Sequence, residues 1–263
     1  MKDYIIVANG DFLVSEIIHE AVKNKMIIAL DTAADKLSRL GMMPHILLGD
    51  FDSDSETHAH YWGIHHTLEH LSEDDKPYKG NFDVTIVPRK NQNLTDLVKA
   101  IQYCDEQAAH SITIICALGG RLDHHEAAMR SLRAEYKKQR PILLHSSLQT
   151  IRYVKDEHII LQGNTGDKCG ILAYPKGWFS SEGLAYDAHD YALDFAYSES
   201  VANAMRLPQA TVSVTGEALL IMPPQLQSQR EYMKKSETEQ LELLLRDARQ
   251  DSRNDSTDAR SSR

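Results

Sequence analysis

His45-Ile46-Leu47-Leu48-Gly49-Asp50-Phe51-Asp52-Ser53 is a strand-like apolar run that breaks into a tight acidic turn. In extended chain, positions i and i+2 point the same way. Asp50 and Asp52 would therefore face one crevice beyond the strand's C-terminal end, where open α/β sheets bind ligands. Two like charges this close repel, and a divalent cation removes the repulsion. Mg²⁺ favours carboxylates combined with substrate phosphate oxygens. A solvated acidic turn would look the same, so the motif needs company.

Company comes in three further turns. Asp31 follows the apolar run Met26-Ile27-Ile28-Ala29-Leu30. Thr95-Asp96-Leu97-Val98-Lys99 opens a helix, with Thr95 as N-cap and Lys99 on the same face as Asp96. That pattern serves routine capping and an ion pair, or else Asp96 joins a metal cluster while Lys99 reaches a phosphate. Gly119-Gly120-Arg121-Leu122-Asp123-His124 follows Thr113-Ile114-Ile115-Cys116. Paired glycines let backbone N–H groups approach a ligand closely, and Arg121 can fork onto phosphate oxygens. Asp123 could orient an attacking hydroxyl, bind metal or hold Arg121. The Walker pattern G-x-x-x-x-G-K-[ST] is absent. Carboxylates at successive strand ends beside a glycine–arginine turn suit phosphoryl transfer.

Around these turns the first half alternates apolar strands (Tyr4–Ala8, Lys25–Leu30, His45–Leu48, Val84–Val87, Ser111–Ala117, Pro141–Leu144) with amphipathic helices (Leu13–Val22, Ala34–Leu40, Asp96–Tyr103, and one reaching about Lys138). This predicts a Rossmann-like, mostly parallel α/β domain over residues 1–146. From residue 147 to 224 seven short strand-like segments, Gln149–Val154, His158–Leu161, Gly170–Tyr174, Gly183–Tyr186, Tyr191–Phe195, Thr211–Val214 and Ala218–Met222, alternate with turn signals such as Pro175-Lys176-Gly177 and Thr215-Gly216. They predict an antiparallel β-sandwich. Residues 225–263 are polar and read as a disordered tail, with a helix conceivable over Thr238–Arg249.

The chain has 263 residues, 42% apolar and 25% charged, with a formal net charge of −9. That charge argues against a general nucleic-acid or anionic-membrane binder, because both partners are polyanions. Three cysteines without a C-x-x-C pair read as buried thiols of a reducing compartment. With no signal-peptide core and no apolar span of about 20 residues, the expectation is a cytoplasmic protein.

At these residues the chain resembles the thiamin pyrophosphokinase (thiamine diphosphokinase) family. The matching blocks are Asn9-Gly10, Asp31 with Ala34, Pro44, Gly49–Ser53, Gln92 with Thr95-Asp96 and Lys99, and Ala117–His124. Glu182-Gly183-Leu184-Ala185-Tyr186, Asn203 and a closing strand pair over Val212–Met222 extend the likeness to roughly residues 4–224. The resemblance implies an α/β domain followed by a β-sandwich, assembled as a homodimer whose sites combine both domain types. It implies transfer of a diphosphoryl group from ATP to the thiamine hydroxyl, giving thiamine diphosphate and AMP. By the same implication Asp31, Asp50, Asp52 and Asp96 would surround Mg²⁺. Gln92, Thr95, Lys99, Gly119, Gly120 and Arg121 would line the ATP site, and Asn203 the vitamin site. Asp50, Asp52, Asp96, Arg121 and Asp123 would carry catalysis, with Asp123 placing or deprotonating the hydroxyl.

The chain departs from the family's pattern in places. The glycine-rich turn is Asp31-Thr32-Ala33-Ala34, an acidic position is Asn93, a Ser-Asn pair is Ala202-Asn203, and Met205 stands where some members place an aromatic. The donor apparatus is intact, whereas the acceptor side is altered. Two alternatives stay open: a related pyrophosphokinase for another hydroxymethyl heterocycle such as a pterin, and a non-catalytic nucleotide-binding protein. An extra segment, Thr57–Asn81, carries His58, His60, His65, His66 and His70. His66–His70 fits H-x-x-E-H, but a solvated loop or helix is the plainer reading.

Overall fold

Unbroken apolar runs leave no face for water, so the strands they form are covered on both sides. The structure, a computed structural model, describes residues 2–51, 55–64, 76–235, 238–247 and 249. Its contacts group into two units: Met1–Ser131 with Lys235–Arg263, and Leu132–Lys234. The division therefore falls earlier than the composition change near residue 146.

In the first unit the elements run β1 (Asp3–Val7), α1 (Ser15–Ala21), β2 (Met26–Leu30), α2 (Ala33–Arg39), β3 (Ile46–Gly49), α3 (Glu56–Trp62), β4 (Tyr78–Lys79), β5 (Thr85–Pro88), α4 (Asp96–Glu106), β6 (Ser111–Ile115) and most of α5 (Leu122–Ala134), whose last turn is counted with the second unit. The sheet order is β6-β1-β2-β3-β5-β4. All pairs are parallel except β4–β5. Ile5, Ile6, Ile28, Leu47, Leu48, Ile86 and Ile112 are fully buried, each contributing about 2 kcal/mol. Right-handed crossovers leave β1 toward β2 and enter β6 from β5 in opposite directions, which puts α1 and α4 on opposite faces. The chain direction thus switches between β1 and β6, and a crevice opens beyond their carboxyl ends.

The second unit comprises β7 (Ile142–His145), β8 (Thr150–Gln162), β9 (Lys168–Glu182), β10 (Tyr191–Asp194), β11 (Ser200–Ala204), β12 (Gln209–Met222) and α6 (Gln227–Lys234). Its strands are antiparallel, in the order β10-β9-β12-β8-β7 with β11 also on β9. β8, β9 and β12 are long, at 13, 15 and 14 residues. Register shifts between Val214 and Glu217 and between Gly216 and Ala218 bend them midway. A Cβ on Gly177 would lie 2.7 Å from the Thr215 carbonyl, and Asp156 accepts the Gly216 N–H at 2.8 Å. Bulges and glycines turn strands through such corners. The two halves close on one core that includes Val154, Ile159, Ile171, Phe179, Val212 and Leu220. The result is a β-sandwich.

Several expectations change. The segments predicted at Gln149–Val154 and His158–Leu161 are one strand, β8, and those at Thr211–Val214 and Ala218–Met222 are one strand, β12. Pro175-Lys176-Gly177 lies inside β9 rather than ending it. Gly183–Tyr186 is not a strand; it touches Met205 only through a bridge at Leu184. The strand expected at Pro141–Leu144 is present as Ile142–His145; it groups with the second unit and pairs antiparallel with β8. The predicted disorder from residue 225 gives way to α6, and residues 238–247 are helical. That last helix belongs to the first unit: Asp247 Oδ2 accepts the Ser15 N–H at 3.1 Å, and Arg246 pairs with Glu16 at 3.0 Å. α1 has no side-chain cap from its own N-cap residue, Val14, so Asp247 supplies one.

Candidate active site

Each strand end of the first unit delivers a different group to the crevice. β2 delivers Asp31, β3 delivers Asp50, and the first turn of α4 delivers Asp96. One carboxylate oxygen from each lies within 4.8 Å of the others. Gly49 makes this approach feasible, because a Cβ there would fall 2.0 Å from Asp31 Oδ1. Thr95 caps α4 by accepting the Val98 N–H at 3.4 Å and so sets the direction of Asp96. The cleft encloses about 420 Å³. Asn9, Asp31, Asp50, Gln92, Thr95, Asp96, Gly119, Arg121 and His124 are among its lining residues.

Three turns at the crevice carry backbone strain. Asp31, Phe51 and Cys116, just after β2, β3 and β6, have φ values of 43°, 57° and 57°. L-residues enter that left-handed region at a cost of about 1 kcal/mol each. Such outliers persist where surrounding structure over-determines them, as at ligand sites. Phe51 is buried and anchors the acidic turn in the core. Cys116 is buried too, and burial pushes its thiol up to about 12, so it is inert as a nucleophile.

Lys99 is 3% exposed and sits 3.1 Å from Asp50 Oδ2 and 2.8 Å from Asp96 Oδ1. Burial alone would depress its pKa, but hydrogen bonds and charge from Asp96 and Asp50 outweigh burial and raise it. Gln92 donates to the same Asp50 oxygen at 3.2 Å. Three carboxylates against one ammonium leave a net charge near −2, which suits one divalent cation. The donors are all hard oxygens, which suits Mg²⁺.

Arg121 also lines the cleft and holds Asp123 in a two-pronged contact at 3.1 and 2.6 Å. The Arg121 hydrogen bonds hold the Asp123 carboxyl down at about 2. Among the described residues Asp123 and Gly120 do not line the cleft. The Gly119 N–H is taken by His125 Nδ1 at 3.1 Å, so it is not offered to a ligand as the glycine pair suggested. Asp52 lies outside the described residues, as do His65, His66 and His70. His58 is buried and paired with Asp35 at 2.8 Å, and Trp62 donates to the other Asp35 oxygen at 2.6 Å. The described part of the histidine-rich segment thus braces α3 against α2.

In the second unit Asn203 is fully buried. Its amide accepts from the Tyr186 and Ala204 N–H groups and donates to the Tyr186 carbonyl and Ser200 Oγ. The side chain is occupied in holding the Tyr186 segment, while Tyr186 itself is 72% exposed. Met205 is 1% exposed and belongs to the sandwich core, so it does not occupy a ligand-facing position. Sequence reasoning missed Leu94, Ala127 and Ala128 in the cleft lining. The last two follow His124 at helical spacing and were findable by periodicity.

Residues 18–144 match the family model described as thiamin pyrophosphokinase, catalytic domain. By that match, this segment belongs to the thiamin pyrophosphokinase family. Thiamin pyrophosphokinase 1 of Caenorhabditis elegans is 28% identical over 201 residues, covering 71% of this chain and 74% of the relative. The solved thiamine pyrophosphokinase of Bacillus subtilis superposes with a TM-score of 0.68 at 19% identity, covering 86% of this chain and all of that one. Yeast thiamin pyrophosphokinase gives 0.68 at 13% identity, covering 84% of this chain and 86% of that one. At such identities the structural likeness establishes the fold, an α/β unit with a β-sandwich. All the acidic and basic side chains that line the described cleft fall within this thiamin pyrophosphokinase segment, residues 18–144.

Proposed function

We propose that this chain transfers a diphosphoryl group from ATP to the hydroxyl of thiamine, yielding thiamine diphosphate and AMP. The carrying observation is the convergence of Asp31, Asp50 and Asp96 on one point of a cleft that Arg121 also lines. Asp31, Asp50 and Asp96, with Asp52, would hold Mg²⁺. A bound Mg²⁺ would offset phosphate charge and orient the transferring group. Lys99 fixes the directions of Asp50 and Asp96, and Gln92 steadies Asp50. Arg121 reaches phosphate oxygens with its planar fork. Asp123 orients that fork; a carboxyl held at about 2 is a weak base, so we assign it no proton abstraction. Phosphoryl transfer through a loose transition state depends mainly on positioning and charge, which these residues supply. Asn203 pins the Tyr186 backbone, and the exposed Tyr186 ring offers a flat aromatic surface to a heteroaromatic acceptor.

The same reading makes the protein a cytoplasmic homodimer without nucleic-acid or membrane partners. Its support is the resemblance, the net charge of −9, and three buried cysteines outside any disulfide. Among the described residues no helix is long and apolar enough to cross a membrane.

The test is purified protein with ATP, Mg²⁺ and thiamine, scored for AMP and thiamine diphosphate. Asp50→Asn should lower kcat by at least about 100-fold. AMP formed only with another heterocyclic alcohol would move the acceptor assignment. No AMP with any alcohol would end the enzymatic reading.

A further inference from the structure

We propose that His125 is a positioning residue for the phosphate-binding wall of the cleft, acting through the Gly119 backbone. The inference rests on the reading of Arg121 as a phosphate ligand. Leu118-Gly119-Gly120-Arg121 joins β6 to α5, and its two glycines have φ values of 76° and 62°. Glycine pairs have the widest backbone freedom of any sequence, so something must restrict this one if Arg121 is to stand in a fixed place. His125 lies one helical turn beyond Arg121, and its N–H bonds the Arg121 carbonyl at 3.0 Å. Its ring reaches back over Arg121 and accepts the Gly119 N–H at Nδ1. Gly120 and Arg121 are thereby enclosed between two anchored points. On the far side Asp11 closes the clamp. Its N–H bonds the Leu118 carbonyl at 3.0 Å, and a Cβ on Gly119 would fall 2.0 Å from its Oδ2. The arrangement requires the ring proton on Nε2, leaving Nδ1 as acceptor. It also assigns phosphate grip at this turn to the Arg121 side chain, since the Gly119 N–H is already used.

The experiment compares His125→Leu, His125→Asn, Arg121→Ala and the Leu–Ala double variant, measuring KM for ATP, KM for thiamine, kcat and melting temperature. His125→Leu should raise KM for ATP by about tenfold while KM for thiamine stays within about twofold. His125→Asn should recover most of that loss, because its Oδ1 stands where Nδ1 stood. With Arg121 already removed, His125→Leu should add less than about twofold. Parallel rises in both KM values with no recovery by Asn would reduce His125 to a general fold contact and overturn the proposal. Full additivity with Arg121→Ala would overturn it as well. A normal KM for ATP in Arg121→Ala would overturn the phosphate reading and this inference together. A raised KM there with an unaffected His125→Leu would overturn the inference alone.

Discussion

Two carboxylates, Asp50 and Asp96, share one buried lysine, and the third, Asp31, stands within 4.8 Å of both. Asp31 is held in the left-handed region, and its oxygen occupies the space a side chain at position 49 would need. Gly49→Ala should therefore displace the Asp31 carboxylate without touching its chemistry. A shift of about 1 Å near reacting groups costs on the order of 100-fold in rate. The expected outcome is that loss in kcat, with the melting temperature changed by less than about 5 °C. A near-normal kcat would show that the Asp31 oxygen has no work to do in its present place. At this scale, residue type plus strand-end position led to the gathering of Asp31, Asp50, Asp96 and Arg121 at one cleft, and the hold on Arg121 was among the roles left open for Asp123. The contacts of Asn203 and Met205 were not legible, because spacing cannot show that an amide is spent on a backbone or a thioether on a core.

The long bent strands show why elements were harder to read than residues. Proline and glycine usually punctuate strands, yet at a bulge they turn one and let it continue. Pro175-Lys176-Gly177 and Thr215-Gly216 were therefore read as ends where the chain has corners. The α/β elements gave no such trouble, because continuous burial leaves apolar runs that stop where the strands stop. The corner of β12 also carries a titrating group. Glu217 accepts from Arg133 at 2.6 Å and Lys155 at 3.2 Å. The Arg133 hydrogen bond, above all, pulls its pKa from 4.5 to about 2. A folded-state pKa below the unfolded one adds stability that is present above pH 4.5 and is lost as pH falls toward 2. In urea unfolding across that window, Glu217→Gln should show a shallower acid decline than the parent. Equal slopes would mean the pair does not feel folding.

For the whole molecule, the unexpected feature is that the first unit is built from two stretches of chain separated by the entire second unit. A polar, charged segment gives no sequence sign that it will dock, because single hydrogen bonds and ion pairs have no periodicity. Asp247→Ala should remove the cap from Ser15 and cost about 1 kcal/mol. Thermal unfolding should register that loss while kcat stays unchanged; an unaltered melting temperature would deny the cap any role. The bonded pair stands 232 positions apart. A ribosome adding about 5–20 residues per second needs roughly ten to fifty seconds to pass from one to the other. Throughout that interval α1 is made but uncapped, while every residue of Leu132–Lys234 is synthesised before Asp247 is added. The first unit is thus the earlier to begin and the later to finish, and its last bond waits on translation itself.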